Sequence, residues 1–228
     1  MIEFLFLDLD DTILDFHKAE RIAIAKTFRE LGLEPTEEVV SRYHLINRAH
    51  WEALERKELT REQVLTGRFE TLFREYSIPV DPVHCARTYE GNLSVGHYFL
   101  PGAEAAVERL SRKYKLYLAS NGTKRVQEGR LKSANISRFF QQIFISQEIG
   151  VNKPDLEYFQ RCFARIPNFD PARAMIVGDS LTSDIQGGIN AGMRTCWVNG
   201  EGKPGNAHIR PDYEIQSLDQ LEALLDTL

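Results

Sequence analysis

The segment Phe4-Leu5-Phe6-Leu7-Asp8-Leu9-Asp10-Asp11-Thr12 decides how the rest of the chain is read. Its first four residues form an unbroken apolar run, as expected of a strand buried on both faces of a parallel sheet. The run stops at Asp8, so acidic groups are delivered to the carboxyl end of that strand. If the extended backbone continues, a period of two projects Asp8 and Asp10 from the same side. Two carboxylates in one small site repel unless a cation or a shared proton offsets them, which points to Mg²⁺ and to acid–base work. A turn with an aspartate helix cap would explain one of these residues but not the whole segment.

Working outward, similar apolar runs recur at Leu116 to Ala119, Gln142 to Ile145, Ala174 to Val177 and Thr195 to Val198, separated by helix-length stretches. That alternation predicts a doubly wound, Rossmann-like α/β fold with a parallel sheet. Between His17 and Val95 the strand runs disappear, and helical patterns cover His17 to Leu31, Thr36 to Lys57, Arg61 to Tyr76 and Pro82 to Leu93. The expected organisation is therefore a core domain from residues 1–15 and 96–228, with an inserted all-helical domain at 16–95. Pro35, Pro79 and Leu100-Pro101-Gly102 punctuate the insertion.

The later strand ends also carry polar groups. Ala119-Ser120-Asn121-Gly122 offers a hydroxyl and backbone N–H groups to an anion, although Ser-Asn-Gly is also an ordinary turn. Lys153 precedes Pro154, which suits the first turn of a helix running to about Arg165. Its ammonium is either a phosphoryl contact or one more solvated surface charge. Gly178-Asp179-Ser180 ends the fourth run, and Asp179 is placed to complete an oxygen-rich metal site with Asp8. Asp184 either orients Lys153 or a water on the metal from behind these ligands, or caps a helix. Four strand ends thus bring Asp8, Asp10, Ser120, Asn121, Lys153, Asp179 and Asp184 to the sheet edge where open α/β folds place their sites.

Composition narrows the function classes. The chain has 228 residues, 43% of them apolar and 27% charged, within the range of a folded globular protein. A net charge of −5 lacks the basic footprint of a protein that binds polymeric nucleic acid. The apolar run at the N-terminus is too short for a membrane span or secretory signal, so no membrane partner and a cytoplasmic location are expected. Cys85, Cys162 and Cys196 are widely spaced and read as buried free thiols. The six histidines show no pairing at helical ligand spacing, so none is expected to bind metal. Oligomeric state is left open.

These four segments resemble, as a set, the four motifs of the haloacid dehalogenase superfamily: DLDDT from Asp8, ASNG from Ala119, Lys153, and GDSLTSD from Gly178. The resemblance implies that Asp8 is a nucleophile, Asp10 a general acid and base, and Ser120 and Lys153 phosphate contacts. It also implies Mg²⁺ held by the side chains of Asp8 and Asp179 and by the backbone carbonyl of Asp10. Asp11 stands where the superfamily often has glycine. The helical insertion resembles a C1-type cap. Asn47, Trp51, Gly67-Arg68-Phe69-Glu70, GGINAG from Gly187 and Cys196-Trp197 look most like the bacterial house-cleaning pyrimidine 5′-nucleotidases.

The resulting expectation is a Mg²⁺-dependent phosphatase of a small phosphorylated metabolite, with a pyrimidine nucleoside 5′-monophosphate as the finer reading. Phosphoglycolate or sugar-phosphate hydrolysis and phosphomutase chemistry share the same core. A dehalogenase and a ligand-sensing protein are the remaining alternatives. Tyr43, Asn47, Trp51 and Leu54 share a helix face, so Trp51 either stacks on a base or packs among the helices. Arg68 either contacts substrate or forms a salt bridge with Glu70 or another residue of the insertion.

Overall fold

The structure is a computed structural model that describes residues Met1–Leu228. The chain divides into two compact units, Met1–Phe16 with His97–Leu228, and His17–Gly96.

The first unit is built on six parallel strands: β1 (Phe4–Leu7), β2 (Lys115–Ser120), β3 (Gln142–Ile145), β4 (Ala174–Gly178), β5 (Arg194–Val198) and β6 (Tyr213–Ile215). Their spatial order is β3-β2-β1-β4-β5-β6, the doubly wound α/β arrangement the sequence pattern predicts. β1 lies between β2 and β4, so the order reverses beside it and a crevice opens at its carboxyl end.

All four residues of β1 are buried, and they alternate between two cores. Leu5 and Leu7 pack with Leu116, Leu118, Met175 and Val177 on one face. Phe4 and Phe6 pack with Tyr117, Ala119 and Ile176 on the other. Burying each such Leu or Phe contributes about 1.5–3 kcal/mol, which explains why the run is apolar without interruption. The strand ends at Leu7, where the apolar run gives way to Asp8.

Helices connect the strands of this unit, and four more make up the helical unit. The latter are α1 (Phe16–Glu30), α2 (Glu37–Glu55), α3 (Arg61–Tyr76) and α4 (Pro82–Leu93). The sheet unit adds α5 (Ala103–Ser111), α6 (Lys124–Ala134), α7 (Ser146–Ile149), α8 (Leu156–Phe163), α9 (Gln186–Asn190) and α10 (Leu221–Leu225). Helix α8 starts later than expected. Pro154 follows a cis peptide from Lys153 and stays outside the helix, and Asp155 caps it by accepting from the Glu157 N–H.

Thr60 and Gln63 form a reciprocal capping box at the start of α3, and Thr36 caps α2. Tyr43, Phe69, Phe73 and Tyr89 form an aromatic cluster that holds α2, α3 and α4 together. The three cysteines are free and buried, and burial pushes each thiol up to about 12. No helix is long and apolar enough to cross a membrane.

Candidate active site

Asp8 leaves β1 while its N–H still donates to the Val177 carbonyl, so the ladder to β4 fixes its backbone. Its carboxylate is nearly buried and accepts from Lys153 Nζ at 2.7 Å. The same ammonium donates to Asp184 Oδ1 at 2.6 Å and to the Ala119 carbonyl at 2.5 Å. All three of its hydrogens therefore have acceptors, which is how a lysine only 1% exposed is tolerated. The solvated surface position considered for Lys153 is excluded.

Asn121 explains why Lys153 sits there. Its side chain accepts from the Lys153 N–H and donates to the Lys153 carbonyl, both at 2.9 Å, and also donates to Ser183 Oγ at 3.1 Å. One amide at the end of β2 thus pins the lysine loop and the loop after β4. The Asn121 side chain is therefore spent on holding these two loops together.

Asp179 follows β4, and its carbonyl accepts from Trp197 Nε1 on β5 at 2.8 Å. Asp184 lies in a π-helical turn, Leu181–Ile185, a form often found at functional sites. The expected helix-capping role belongs to Ser180, whose hydroxyl accepts from the Ser183 N–H. Asp184 instead turns inward, accepting from Lys153 and from the Ser180 N–H. A Cβ at Gly178 would collide with that carboxylate, so glycine is required at the end of β4.

Carboxylate oxygens of Asp8, Asp179 and Asp184 lie within 4.8 Å of one another. Burial is the main reason the Asp8 carboxyl is pushed up to about 8; Lys153 opposes the rise, and Asp184 and Asp10 add to it. Asp179 keeps some contact with solvent, yet the protein packed around its carboxyl, followed by the Asp184 and Asp8 charges, holds it well above the usual range. Burial alone would lower the Lys153 ammonium, but Asp184 and Asp8 outweigh it and raise it. Three carboxylates meeting one ammonium leave a deficit of positive charge. An all-oxygen cluster with that deficit fits a hard divalent cation.

Asp10 does not share a counter-charge with Asp8. The extended backbone expected to carry both carboxylates to one side ends at Asp11, whose φ of 52° turns the chain. The Asp10 carboxylate accepts from Gln127 Nε2 at 2.7 Å and is paired with the fully buried Arg130. Gln127 Nε2 also donates to Ser120 Oγ at 2.7 Å, so it bridges the acid and the hydroxyl. Ser120 Oγ additionally accepts from the Gly122 N–H at 3.2 Å, which leaves its O–H to donate to an anion. A Cβ on Gly122 would come within 2.6 Å of the Gln127 amide, so this glycine makes room for the bridge.

The left-handed backbone at Asp11 accounts for the preference for glycine there. Aspartate is accommodated because its Oδ1 accepts from the Phe16 N–H at the start of α1, at 2.8 Å. Thr12 is buried, and its hydroxyl finds no hydrogen-bond partner, so it does not orient the loop through such a bond. Gln127 and Arg130, both missing from the sequence reading, lie one turn apart on α6, where the only available signal was polar residues at helical spacing.

In the helical unit, Asn47 and Arg68 are buried and bonded to each other, with Arg68 Nη1 donating to Asn47 Oδ1 at 2.7 Å. Arg68 also donates to the Leu65 carbonyl and lies over the Phe69 and Tyr89 rings. The pairing with Glu70 considered for it is not made, because Arg68 faces the aromatic interior. Asn47 Nδ2 donates to Glu20 Oε1 at 2.6 Å, and Glu20 is buried as well. Trp51, on the same face of α2, is only half-buried, with the Arg61 guanidinium over its ring at 5.6 Å. Pairing of histidines does occur, though not along one helix. His17 and His44 come together with Glu20 because two different helices supply them, a proximity that spacing along one helix does not reveal.

With this geometry established, a model of the haloacid dehalogenase-like hydrolases matches residues 2–192. The chain belongs to that hydrolase family. The HAD-hydrolase YfnB of Bacillus subtilis is 38% identical over 222 residues, covering 97% of this chain and 94% of YfnB. A magnesium-bound crystal structure of YfnB, described as revealing interdomain movement, matches with a TM-score of 0.94 over 99% of both chains. The pyrimidine 5′-nucleotidase PynA of Streptococcus pneumoniae is 34% identical over 225 residues, 98% of this chain and 95% of PynA. The pyrimidine 5′-nucleotidase YjjG of Escherichia coli is 29% identical over 223 residues, 98% of this chain and 97% of YjjG.

Proposed function

We propose that this hydrolase is a Mg²⁺-dependent phosphomonoesterase that works through a phosphoaspartate on Asp8 and acts on pyrimidine nucleoside 5′-monophosphates. The observation that carries the reading is the contact of Lys153 Nζ with Asp8 Oδ1, at 2.7 Å, inside the three-carboxylate cluster at the β1 switch point. Asp8 and Asp179 side chains, with the Asp10 carbonyl, are assigned to hold Mg²⁺, which when bound supplies positive charge for the phosphoryl oxygens.

Asp8 attacks phosphorus in line, and the leaving alcohol departs. As the phosphate dianion arrives, Lys153 can exchange its hydrogen bond to Asp8 for one to a phosphoryl oxygen, freeing the carboxylate to attack. Asp184 and the Ala119 carbonyl keep the ammonium in place meanwhile. Ser120 O–H donates to another phosphoryl oxygen. Asp10 protonates the leaving oxygen and then takes a proton from the water that hydrolyses the acyl phosphate. Gln127 and Arg130 fix its position beside Ser120. A dehalogenase releases a halide that needs no proton, so an aspartate with its own supporting residues favours the phosphatase.

The helical unit is assigned the role of a C1-type cap that selects the substrate. PynA and YjjG, related over nearly their whole lengths, support the pyrimidine nucleotide reading. Within the unit, Trp51, which is only half-buried, is assigned to stack on the base, with Asn47 and Arg68 as further specificity residues behind it on the buried side of the helices.

The test is phosphate release from pyrimidine and purine nucleoside monophosphates, sugar phosphates and phosphoglycolate, with Mg²⁺ and after chelation by EDTA. Pyrimidine nucleotides should give the highest kcat/KM, and EDTA should abolish turnover until Mg²⁺ is restored. Preference for a sugar phosphate would refute the nucleotidase reading; turnover surviving exhaustive chelation would refute the metal assignment.

A further inference from the structure

Three side chains that the proposed reaction does not use converge within the helical unit. His17 and Glu20 lie one turn apart on α1, and His44 comes from the middle of α2. Their ligand atoms lie within 4.8 Å of one another. His44 Nδ1 is 2.6 Å from Glu20 Oε2, and the His17 and His44 rings meet edge-to-face with centroids 4.8 Å apart. Glu20 is only 2% exposed, whereas the His44 side chain is 32% exposed and His17 is exposed, so the cluster is open on its imidazole side.

A carboxylate–imidazole pair would explain Glu20 and His44 alone. It gives no reason for a second imidazole at the same point. It also gives no reason for the way Glu20 is held: its other oxygen accepts from Asn47 Nδ2, and Asn47 is in turn fixed by buried Arg68. A carboxylate oriented from behind by hydrogen bonds, with two imidazoles beside it, is the construction of a metal ligand set.

We infer that His17, Glu20 and His44 form a binding site for a divalent transition cation of the Zn²⁺ or Co²⁺ type. Two nitrogens and one oxygen suit such borderline ions and not Mg²⁺, which prefers oxygen. The cation displaces the hydrogen between His44 Nδ1 and Glu20 Oε2, which part from 2.6 Å to accept metal–ligand bonds of about 2.0–2.2 Å, the neutral imidazole then carrying its proton on Nε2. Three protein ligands leave a coordination position for water. The ion ties the first turn of α1 to α2. Its donor set differs in kind from the Asp8, Asp179 and Asp184 cluster, so the two sites select different metals.

The test titrates the untagged full-length chain with Co²⁺ while millimolar Mg²⁺ keeps the all-oxygen cluster saturated. It follows the visible d–d absorption of bound Co²⁺, with Zn²⁺ stoichiometry measured by equilibrium dialysis. One ion per chain is expected, with affinity falling by more than about tenfold in both His17→Ala and His44→Ala. Asp179→Asn should leave the signal unchanged. His17 is exposed, so His17→Ala tests the site even if His44→Ala fails to fold. Absence of binding in the wild-type chain, equal affinity in His17→Ala, or loss of the signal in Asp179→Asn would each overturn the assignment. Turnover is not the readout, so the outcome is independent of the phosphatase reading.

Discussion

Arg130→Met should weaken both the fold and the reaction, and the two effects can be separated. Arg130 is fully buried, whereas the Asp10 side chain paired with it is 29% exposed. The pair thus falls between exposed ion pairs, worth about 0–1 kcal/mol, and buried ones, where removing one partner costs about 3–5 kcal/mol. A loss of about 2–3 kcal/mol follows. For a chain of this length that lowers Tm by about 5–10 °C.

Without Arg130, Asp10 keeps only the Gln127 bond, so its carboxylate is free to rotate. A displacement of about 1 Å costs on the order of 100-fold in rate, and it should fall on kcat more than on KM because Asp10 moves protons and does not hold the phosphate. The assays are thermal unfolding and steady-state phosphate release for wild type, Arg130→Met, Asp10→Asn and the double variant. Arg130→Met should be much less damaging to both stability and kcat in the Asp10→Asn background. Additive losses in the double variant, or a single variant with unchanged kcat, would refute the role given to Arg130.

Asp8→Asn should fold normally and lose at least about 10⁴-fold in kcat, because an amide cannot attack phosphorus; residual turnover above about one per cent, measured by phosphate release, would place the nucleophile elsewhere. Trp51→Ala should reduce kcat/KM for pyrimidine nucleotides by about 5- to 150-fold, from the loss of about 1–3 kcal/mol of stacking. Hydrolysis of a small aryl phosphate should change far less, and a parallel fall in both activities would make Trp51 a packing residue.

The strands, the helical insertion and the carboxylates at the strand ends were legible because each depends on residues close together in sequence. Phe4 to Leu7 show both their burial and their boundary within a few residues of Asp8. Gln127 and Arg130 were not legible. In the run Val126-Gln127-Glu128-Gly129-Arg130 they read as a solvated helix, and only the distant Asp10 and Ser120 make it favourable to bury them. Glu20 and His44 are hidden for the same reason, each being the other's partner from a different helix. β6 was missed because three residues are too few to establish a period. The late start of α8 escaped because a proline that opens a helix and one that precedes it look alike in sequence.

The three buried thiols give the molecule its own unfolding reporters. Cys85 lies in the helical unit, Cys162 in the core on one face of the sheet and Cys196 in the core on the other. With their thiols pushed up to about 12, almost no thiolate exists near neutrality, so alkylating reagents can react at an appreciable rate only after local opening. Labelling at each cysteine therefore times the opening of one compartment, and a single pulse-alkylation experiment distinguishes loosening of the helices from separation of either layer packed on the sheet. Because the proposed nucleophile is a carboxylate, blocking a thiol does not consume a reacting group, so the labelling record and the activity record can be compared on the same sample.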